Sequence, residues 1–576
     1  SPRWYPVLDL AMTELRVRDV GTRHSPLIGL VGRLSSNGEQ GSHPGPISFW
    51  ALAPTYRLLG GSAWTLFVGV VVLNTTAVAL TLWVAVRRGG ALLALGTAAA
   101  LAVLVNLYGT QVLTEPWNPY MPVMWWPLTL VAVWSVLCDD LPMLPIAVLA
   151  ASFCMQTHIS YLGLVGGLVA IGTVVLAVRA YRVRGDRAAL RRLGLWVGIA
   201  GALGVVLWLP PLIDQITGDP GNASIVADHF RHADEEPIGL RRGGEVLGVQ
   251  MNVWRLAAGQ TALSGSVIPG LVLLVSWVAA AVGTWRMPAT AAGVATPRAS
   301  LLRLHAVVGL ALVLGLVSAS RILGHLWYYL TLWAWATTTL MVVAVAWTAI
   351  ALLSVARPAA RRVTSRAVPA ALAGVLVLWT VMFAVDARDA EPTAHRVSET
   401  LGDLTVPVLD AIEDGDIVAA ARDGSYRLSW TDGTYIGAPG YGLLAELERR
   451  GLDVGATEPY HAGVIDHRVM PAAEADAEIH LSVGPDIEVW QARDDAVMVA
   501  YGDPRTDAER ARYDRARTAS IAELERIGRP DLVPLVDRMP FMLFLDESLP
   551  DETREVMAPL SDLGQPMAVF IAPIEP

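Results

Sequence analysis

Residues 162–209 read LGLVGGLVAIGTVVLAVRAYRVRGDRAALRRLGLWVGIAGALGVVLWL. Two apolar runs flank a basic loop, RAYRVRGDRAALRR (179–192), that carries six arginines. Each run is close to the roughly twenty apolar residues that cross a hydrocarbon core. Short Arg-rich loops stay on the cytoplasmic side of a membrane, so the loop fixes an orientation as well as a pair of spans.

The same pattern extends over the first two-thirds of the chain. Apolar residues make up 53% of the 576, only 17% are charged, and mean hydropathy is +0.45, values that exclude an ordinary soluble globule. About ten spans are expected, at 62–86, 90–107, 121–138, 142–157, 160–178, 193–212, 265–285, 304–320, 327–354 and 367–385. Strict alternation puts Arg87, Arg88, the 286–303 loop and ARPAARRVTSR (356–366), with nine further arginines, on the side of the 179–192 loop. The opposite side receives the opening segment (1–61), YGTQVLTEPWNPY, QTHISY, the long 213–264 loop and everything after 385. Of the 15 acids before residue 386, all but Asp139, Asp140 and Asp186 fall on that outer side. A chain that starts outside just before a span normally needs an earlier helix to carry it across, which makes an eleventh span in the full protein an expectation. The chain contains no lysine, and a GC-rich coding bias accounts for that without a functional explanation.

Charge divides the chain in two. Residues 386–576 carry 38 acids against 17 arginines, a net of −21, while residues 1–385 carry a net of +11. A basic membrane domain (1–385) is therefore expected to join an acidic, extracytoplasmic domain (386–576). The latter alternates strands (DIVAAA, YRLSW, EIHLSVG, IEVWQAR, AVMVAYG, MAVFIAP) with helices (YGLLAELERRG, DAERARYDRARTASIAELERIG), the pattern of an α/β sandwich or open sheet. It has no GxGxxG, P-loop, HExxH or GxSxG, so a structural or positioning role is expected, with carbohydrate or partner binding as the alternative. Cys138 and Cys154 both lie in apolar runs and suggest neither a disulfide nor a metal site.

The opening segment carries the chemistry. DLAMTELRVRDVGTRH (9–24) packs three carboxylates, three arginines and a histidine into sixteen residues, and SHPGPISFWALAPTYRLLGG (42–61) follows. Pro44, Pro46 and Pro54 favour a turn and then a short interfacial helix, with Trp50, Tyr56 and Arg57 suited to the headgroup layer. A charged outer loop, a proline turn and a surface helix leading into the next span resemble the GT-C glycosyltransferases. The similarity is to the branch of protein O-mannosyltransferases and lipid A aminoarabinose transferases. The paired acids of that branch stand here as Asp9 followed by Leu10, and its Lys-Pro-Pro-like turn as His43-Pro44-Gly45-Pro46. The resemblance implies a GT-C-like membrane fold and an inverting transfer of sugar from a polyprenyl-phosphate carrier to a glycan, lipid or protein acceptor in the envelope. A bacterial plasma-membrane location follows, with membrane lipids as neighbours and no nucleic acid as partner.

Such a transfer needs a base for the acceptor hydroxyl and cations for the departing phosphate. On a helix Glu14 pairs with Arg18 at i,i+4 and Arg16 with Asp19 at i,i+3, an ordinary solvated face, whereas four residues after Asp9 stands Thr13. Asp9 is therefore the expected base and Glu14 the second choice, an N-cap at Asp9 being the structural alternative. Arg16, Arg23, Arg33 and His43 are the expected phosphate contacts, against contact with anionic headgroups for each arginine. Glu115, Trp117, Asn118 and His158 are the expected sugar or acceptor contacts, against an aromatic belt and a satisfied buried histidine. A divalent cation shared by Asp9, Glu14 and His158 is the one cofactor these residue types leave open. A transporter or lipid flippase is the rival class, and a non-catalytic envelope scaffold the third; the spans are nearly free of charge and show no internal repeat, unlike most transporters.

Overall fold

The computed structural model describes residues 4–36, 38–233, 235–257, 263–288, 298–356, 361–414, 424–546 and 548–574. The chain forms two compact units, one of Pro26–Thr55 and Leu66–Glu391, the other of Ser1–Ser25, Tyr56–Thr65 and Pro392–Pro576. The division expected at 385/386 thus differs from the observed one at both ends of the chain, because the opening segment belongs with the C-terminal residues.

The first unit is helical. Among the described residues seven helices are long and apolar enough to cross a membrane, which makes this a polytopic membrane protein. The longest, Trp64–Tyr108, takes in the expected spans 62–86 and 90–107 and breaks between them at Gly90, where φ is 70° and ψ −166°. Two expected spans, 121–138 and 142–157, hold apolar helices that fall below the length of the seven. Trp125–Leu137 has 13 residues and Leu144–Thr157 has 14, lengths of about 20 Å against a core of about 30 Å. Trp126, Leu128, Leu130 and Val131 on the former are buried by protein, so their apolar character serves the unit's own core. In contrast Val174, Val205, Val206, Val275 and Val377 are each more than 60% exposed, as a lipid-facing surface requires.

The Arg-rich loops meet two of their three acids. Arg87 binds Asp140 through two parallel bonds of 2.9 and 2.6 Å, Arg88 approaches it at 3.4 Å, and Arg179 and Arg303 pair with Asp139 at 2.8 and 3.6 Å. Arginines from three separate loops therefore converge on one acidic pair, as a common side demands. Asp186 instead caps the helix Arg187–Thr217, accepting from the Ala188 and Ala189 amides.

The second unit contains a five-stranded sheet. Its strands are β3 (Ser425–Thr431), β4 (Asp453–Ala456), β5 (Ala477–Val483), β6 (Val497–Gly502) and β7 (Met567–Pro573), in the order β4-β3-β5-β7-β6. The β3/β4 and β3/β5 pairs are parallel and the pairs with β7 antiparallel. The short DVGA strand escaped the sequence pattern, and DIVAAA lies outside the described residues. IEVWQAR is not a strand but mostly helix Asp486–Gln491. Ile487 and Trp490, three apart, are buried while Val489 is 63% exposed, a helical face that the period-two pattern mimicked.

The opening helix, Leu8–Asp19, belongs to the core of this unit. Val7, Ala11 and Leu15 join one apolar cluster with Leu401, Leu443, Leu444 and Leu447. Gly442 lets the two segments approach, since a Cβ there would lie 2.5 Å from the Pro6 carbonyl oxygen. The solvated face expected at Glu14 and Arg16 is therefore overturned, for Thr13 and Glu14 are fully enclosed. Asp9 is not an N-cap either: Val7 takes that place and Asp9 lies in the first turn, where its charge favours the helix N-terminus.

Candidate active site

In the membrane unit, polar and aromatic side chains from four separate segments meet. A hairpin of β1 (Val31–Ser36) and β2 (Glu39–Ser42) precedes the proline turn. Gly45 lets that turn lie against the end of helix Leu144–Thr157: its amide donates to the Gln156 carbonyl at 3.1 Å, and a Cβ would strike the Gln156 side chain at 2.4 Å. The turn sets His43 beside His158, with ring centroids 4.8 Å apart. The Ile159 amide donates to His43 Nδ1 at 3.0 Å, so the ring proton of His43 sits on Nε2. Burial pushes the His43 imidazole down to about 4 and lowers His158 as well. His43 is thus a neutral donor at physiological pH and not the cation expected from the sequence.

From His158 the cluster continues through Tyr329 (centroids 6.2 Å) to Trp117 (5.2 Å) and on to Tyr120 (4.6 Å). The Tyr120 and Tyr328 hydroxyls are 2.7 Å apart. Trp327 stacks on Tyr329 at 6.0 Å, and the Arg33 guanidinium lies over the Trp327 ring at 4.5 Å, a cation–π contact. Glu115 is buried, and burial, then Tyr328, then the Glu115 charge raise the Tyr120 phenol. Asn118 Oδ1, Gln156 Oε1 and the hydroxyls of Thr157 and Tyr161 are buried without a hydrogen-bond partner among the described residues. Such orphans are costly unless something supplies the missing bonds. A cleft of about 770 Å³ lies against the β1–β2 hairpin of this unit, lined by Ser36, Glu39, Gln215, Asp228 and Arg231.

Four of the expected site residues, His43, Glu115, Asn118 and His158, are thus buried within one unit, Trp117 is half-buried in the same unit, and Arg33 reaches its aromatic cluster. Tyr120, His325, Trp327, Tyr328 and Tyr329 were missed. Their signal was the aromatic density of GHLWYYLTLWAW (324–335), which reads equally well as the start of a span.

The remaining expected residues lie in the other unit. Asp9 is half-buried and its charge reaches the Tyr441 phenol. Glu14 accepts from Tyr56 (2.6 Å), Arg18 (2.9 Å) and Arg449 (2.6 Å). Tyr56 is therefore an inward-facing donor and not a headgroup anchor; burial and the Glu14 carboxylate push its phenol up to about 12. Asp19 pairs with Arg468 through bonds of 2.7 and 2.9 Å, and Arg468 also donates to Glu448 at 2.6 and 3.0 Å. Arg16 is buried near Asp19, and desolvation brings it down to about 10, still charged at neutral pH. Arg23 is exposed and donates to His24 at 2.8 Å. Among the described residues no group of three or more His, Cys, Asp or Glu could hold a metal, so the ion shared by Asp9, Glu14 and His158 has no such group to bind it. Both cysteines are free thiols.

No protein-family model matches the chain, and no curated protein matches it. Solved structures similar to it include two of ArnT from Cupriavidus metallidurans. The one bound to undecaprenyl phosphate is 13% identical at a TM-score of 0.49, covering 88% of this chain and 93% of that one. The apo state is 14% identical at 0.47, covering 87% and 93%. Similarity at this level carries no functional conclusion by itself.

Proposed function

We propose that the protein is a GT-C-type glycosyltransferase that moves a sugar from a polyprenyl-phosphate carrier to a hydroxyl of an envelope acceptor outside the plasma membrane. The observation that carries this is the His43–His158–Tyr329–Trp117 cluster of the membrane unit, two buried imidazoles beside two half-buried aromatic rings, with Glu115 and orphaned acceptors such as Asn118 Oδ1. Stacking rings beside unsatisfied hydrogen-bonding atoms suit a sugar, whose apolar face packs on aromatics while its hydroxyls fill the missing bonds. Arg33 supplies a permanent cation for the carrier phosphate, and neutral His43 offers an Nε2–H donor. The base is proposed from the opening segment alone, where Asp9 is preferred to Glu14 because Glu14 already accepts from three donors. The open cleft at Asp228 is large enough for an acceptor saccharide.

The test is transfer from a supplied polyprenyl-phosphate sugar. Replacing Trp117 or Tyr329 by Ala is expected to weaken donor or acceptor use by roughly 10-fold or more, at the 1–3 kcal/mol that buried contacts with a substrate commonly contribute. Arg33→Ala is expected to raise KM for the carrier lipid with little change in kcat, as for a group that binds the phosphate equally before and during transfer.

The orientation has its own test. In a background lacking Cys138 and Cys154, a cysteine at Arg184 is expected to resist an impermeant thiol reagent in intact cells, while one at Asp228 or at exposed Asp507 reacts. The reverse pattern contradicts an outer site.

A further inference from the structure

On one face of the soluble sheet, β3 and β5 present polar side chains in register: Arg427 opposite Glu478, Ser429 opposite His480, Thr431 opposite Ser482. Apolar residues Tyr426, Leu428, Trp430, Ile479 and Leu481 occupy the other face and form the core. Period two accounts for the alternation, but not for what the polar face assembles. Ser429 Oγ lies 2.7 Å from His480 Nδ1, and His480 Nε2 lies 3.0 Å from Asp486 Oδ2. Asp486, in the first turn of the helix that follows β5, also accepts from Ser482 at 2.9 Å. The imidazole is held by a parallel stack on Trp490, with centroids 3.9 Å apart and planes at 10°. Hydroxyl, imidazole and carboxylate thus stand in the order that activates a serine: a base in contact with Oγ, itself oriented by a third group.

We propose that Ser429 is a nucleophile, with His480 as its base and Asp486 orienting the ring, and that the soluble unit carries a second activity, cleavage of carboxylic acyl esters. Ser429 is half-buried and its neighbour Thr431 exposed, so an acyl group can reach Oγ, whereas His480 is enclosed. Glu478 also accepts from the Ser429 hydroxyl. Either placement of that single hydrogen leaves a proton acceptor in contact with Oγ. In the reaction Ser429 Oγ bonds to the acyl carbon as its proton passes to His480 Nδ1. The ester C–O bond then breaks and the alcohol leaves with that proton. Water attacks the acyl-serine, gives its proton to the same nitrogen, and releases the carboxylic acid with Ser429 restored. Arg427 lies two residues before Ser429 on the same face, and its Nε is buried without a partner among the described residues. It is the cation at hand for the developing oxyanion. One guanidinium suits esters, whose alcohols leave more readily than amines.

The experiment uses the full chain in detergent with a fluorophosphonate probe and p-nitrophenyl acetate. Peptide mapping is expected to place the probe on Ser429. S429A should abolish labelling and lower ester cleavage about 10²-fold or more, and H480Q should slow both by about 10²–10⁴-fold, as for a lost base. Glycosyl transfer should persist in both variants. Probe on wild-type protein that maps elsewhere, or no labelling at all, overturns the proposal, and this readout stands even if a variant fails to fold. Labelling retained in folded S429A overturns it equally.

Discussion

Asp9→Asn is expected to lower transfer from a polyprenyl-phosphate sugar by about 10²–10⁴-fold while the protein stays folded and keeps its carrier lipid, the effect of losing a positioned general base. The substitution removes charge but almost no volume, and Asp9 is half-buried in the first turn of its helix. The helix-terminus interaction lost with it amounts to about 0.3–1 kcal/mol, and the amide keeps the capacity to accept hydrogen bonds. Activity and stability are therefore expected to separate at Asp9. At Glu14 they should fall together, because Glu14→Gln leaves Arg18 and Arg449 around a neutral amide in a fully enclosed position. Full activity in a folded Asp9→Asn protein would remove Asp9 from the chemistry.

The largest stability effect is expected at Asp19. Its side chain and that of Arg468 are 7% and 6% exposed and share two hydrogen bonds. Removing Asp19 takes two bonds from a buried guanidinium and leaves it with Glu448, at a cost approaching the roughly 3–5 kcal/mol of a buried charge left fully unpaired. Asp19→Ala should therefore lower the unfolding midpoint of the sheet-bearing unit by several degrees or more, measured by tryptophan fluorescence in detergent. The pair also has a pH signature. Burial opposes the Asp19 charge, but hydrogen bonds from His467 and Arg468 outweigh it and hold the carboxyl below its ordinary value. A lowered folded pKa means the contribution is complete above the unfolded value and is lost as pH falls through the folded one. Wild-type stability should thus drop below about pH 4, and the drop should be smaller in Asp19→Ala. An equal drop in both would mean the pair does not govern acid sensitivity.

The spans were legible because a bilayer demands long apolar runs, and each of the ten expected stretches contains helix. At 121–138 and 142–157 the apolar runs form shorter helices whose side chains pack largely against protein. The opening helix was misread for a different reason. Glu14 and Arg18 stand at i,i+4 and do pair, yet the groups that bury them, Arg449 and the Ala445 carbonyl, lie more than 400 residues away. No local spacing reveals partners of that kind. Glu115, Trp117, Asn118 and His158 were legible as polar residues between apolar runs, and the membrane unit gathers them with His43. Tyr120, Tyr328 and Tyr329 were not, because tyrosines at the edge of a span look the same whether they face headgroups or a site. The Ser429–His480–Asp486 array was invisible for the reason that hides most strand-borne sites: its register comes from pairing β3 with β5, 51 residues apart at Ser429 and His480.

The most direct measurement incubates purified full-length protein with a polyprenyl-phosphate sugar labelled in the sugar, then quantifies free polyprenyl phosphate and label on the acceptor fraction. Catalysed transfer predicts that one carrier phosphate appears for each sugar moved, and that Asp9→Asn suppresses both together. An intact donor that the protein merely moves between the leaflets of a vesicle would contradict it.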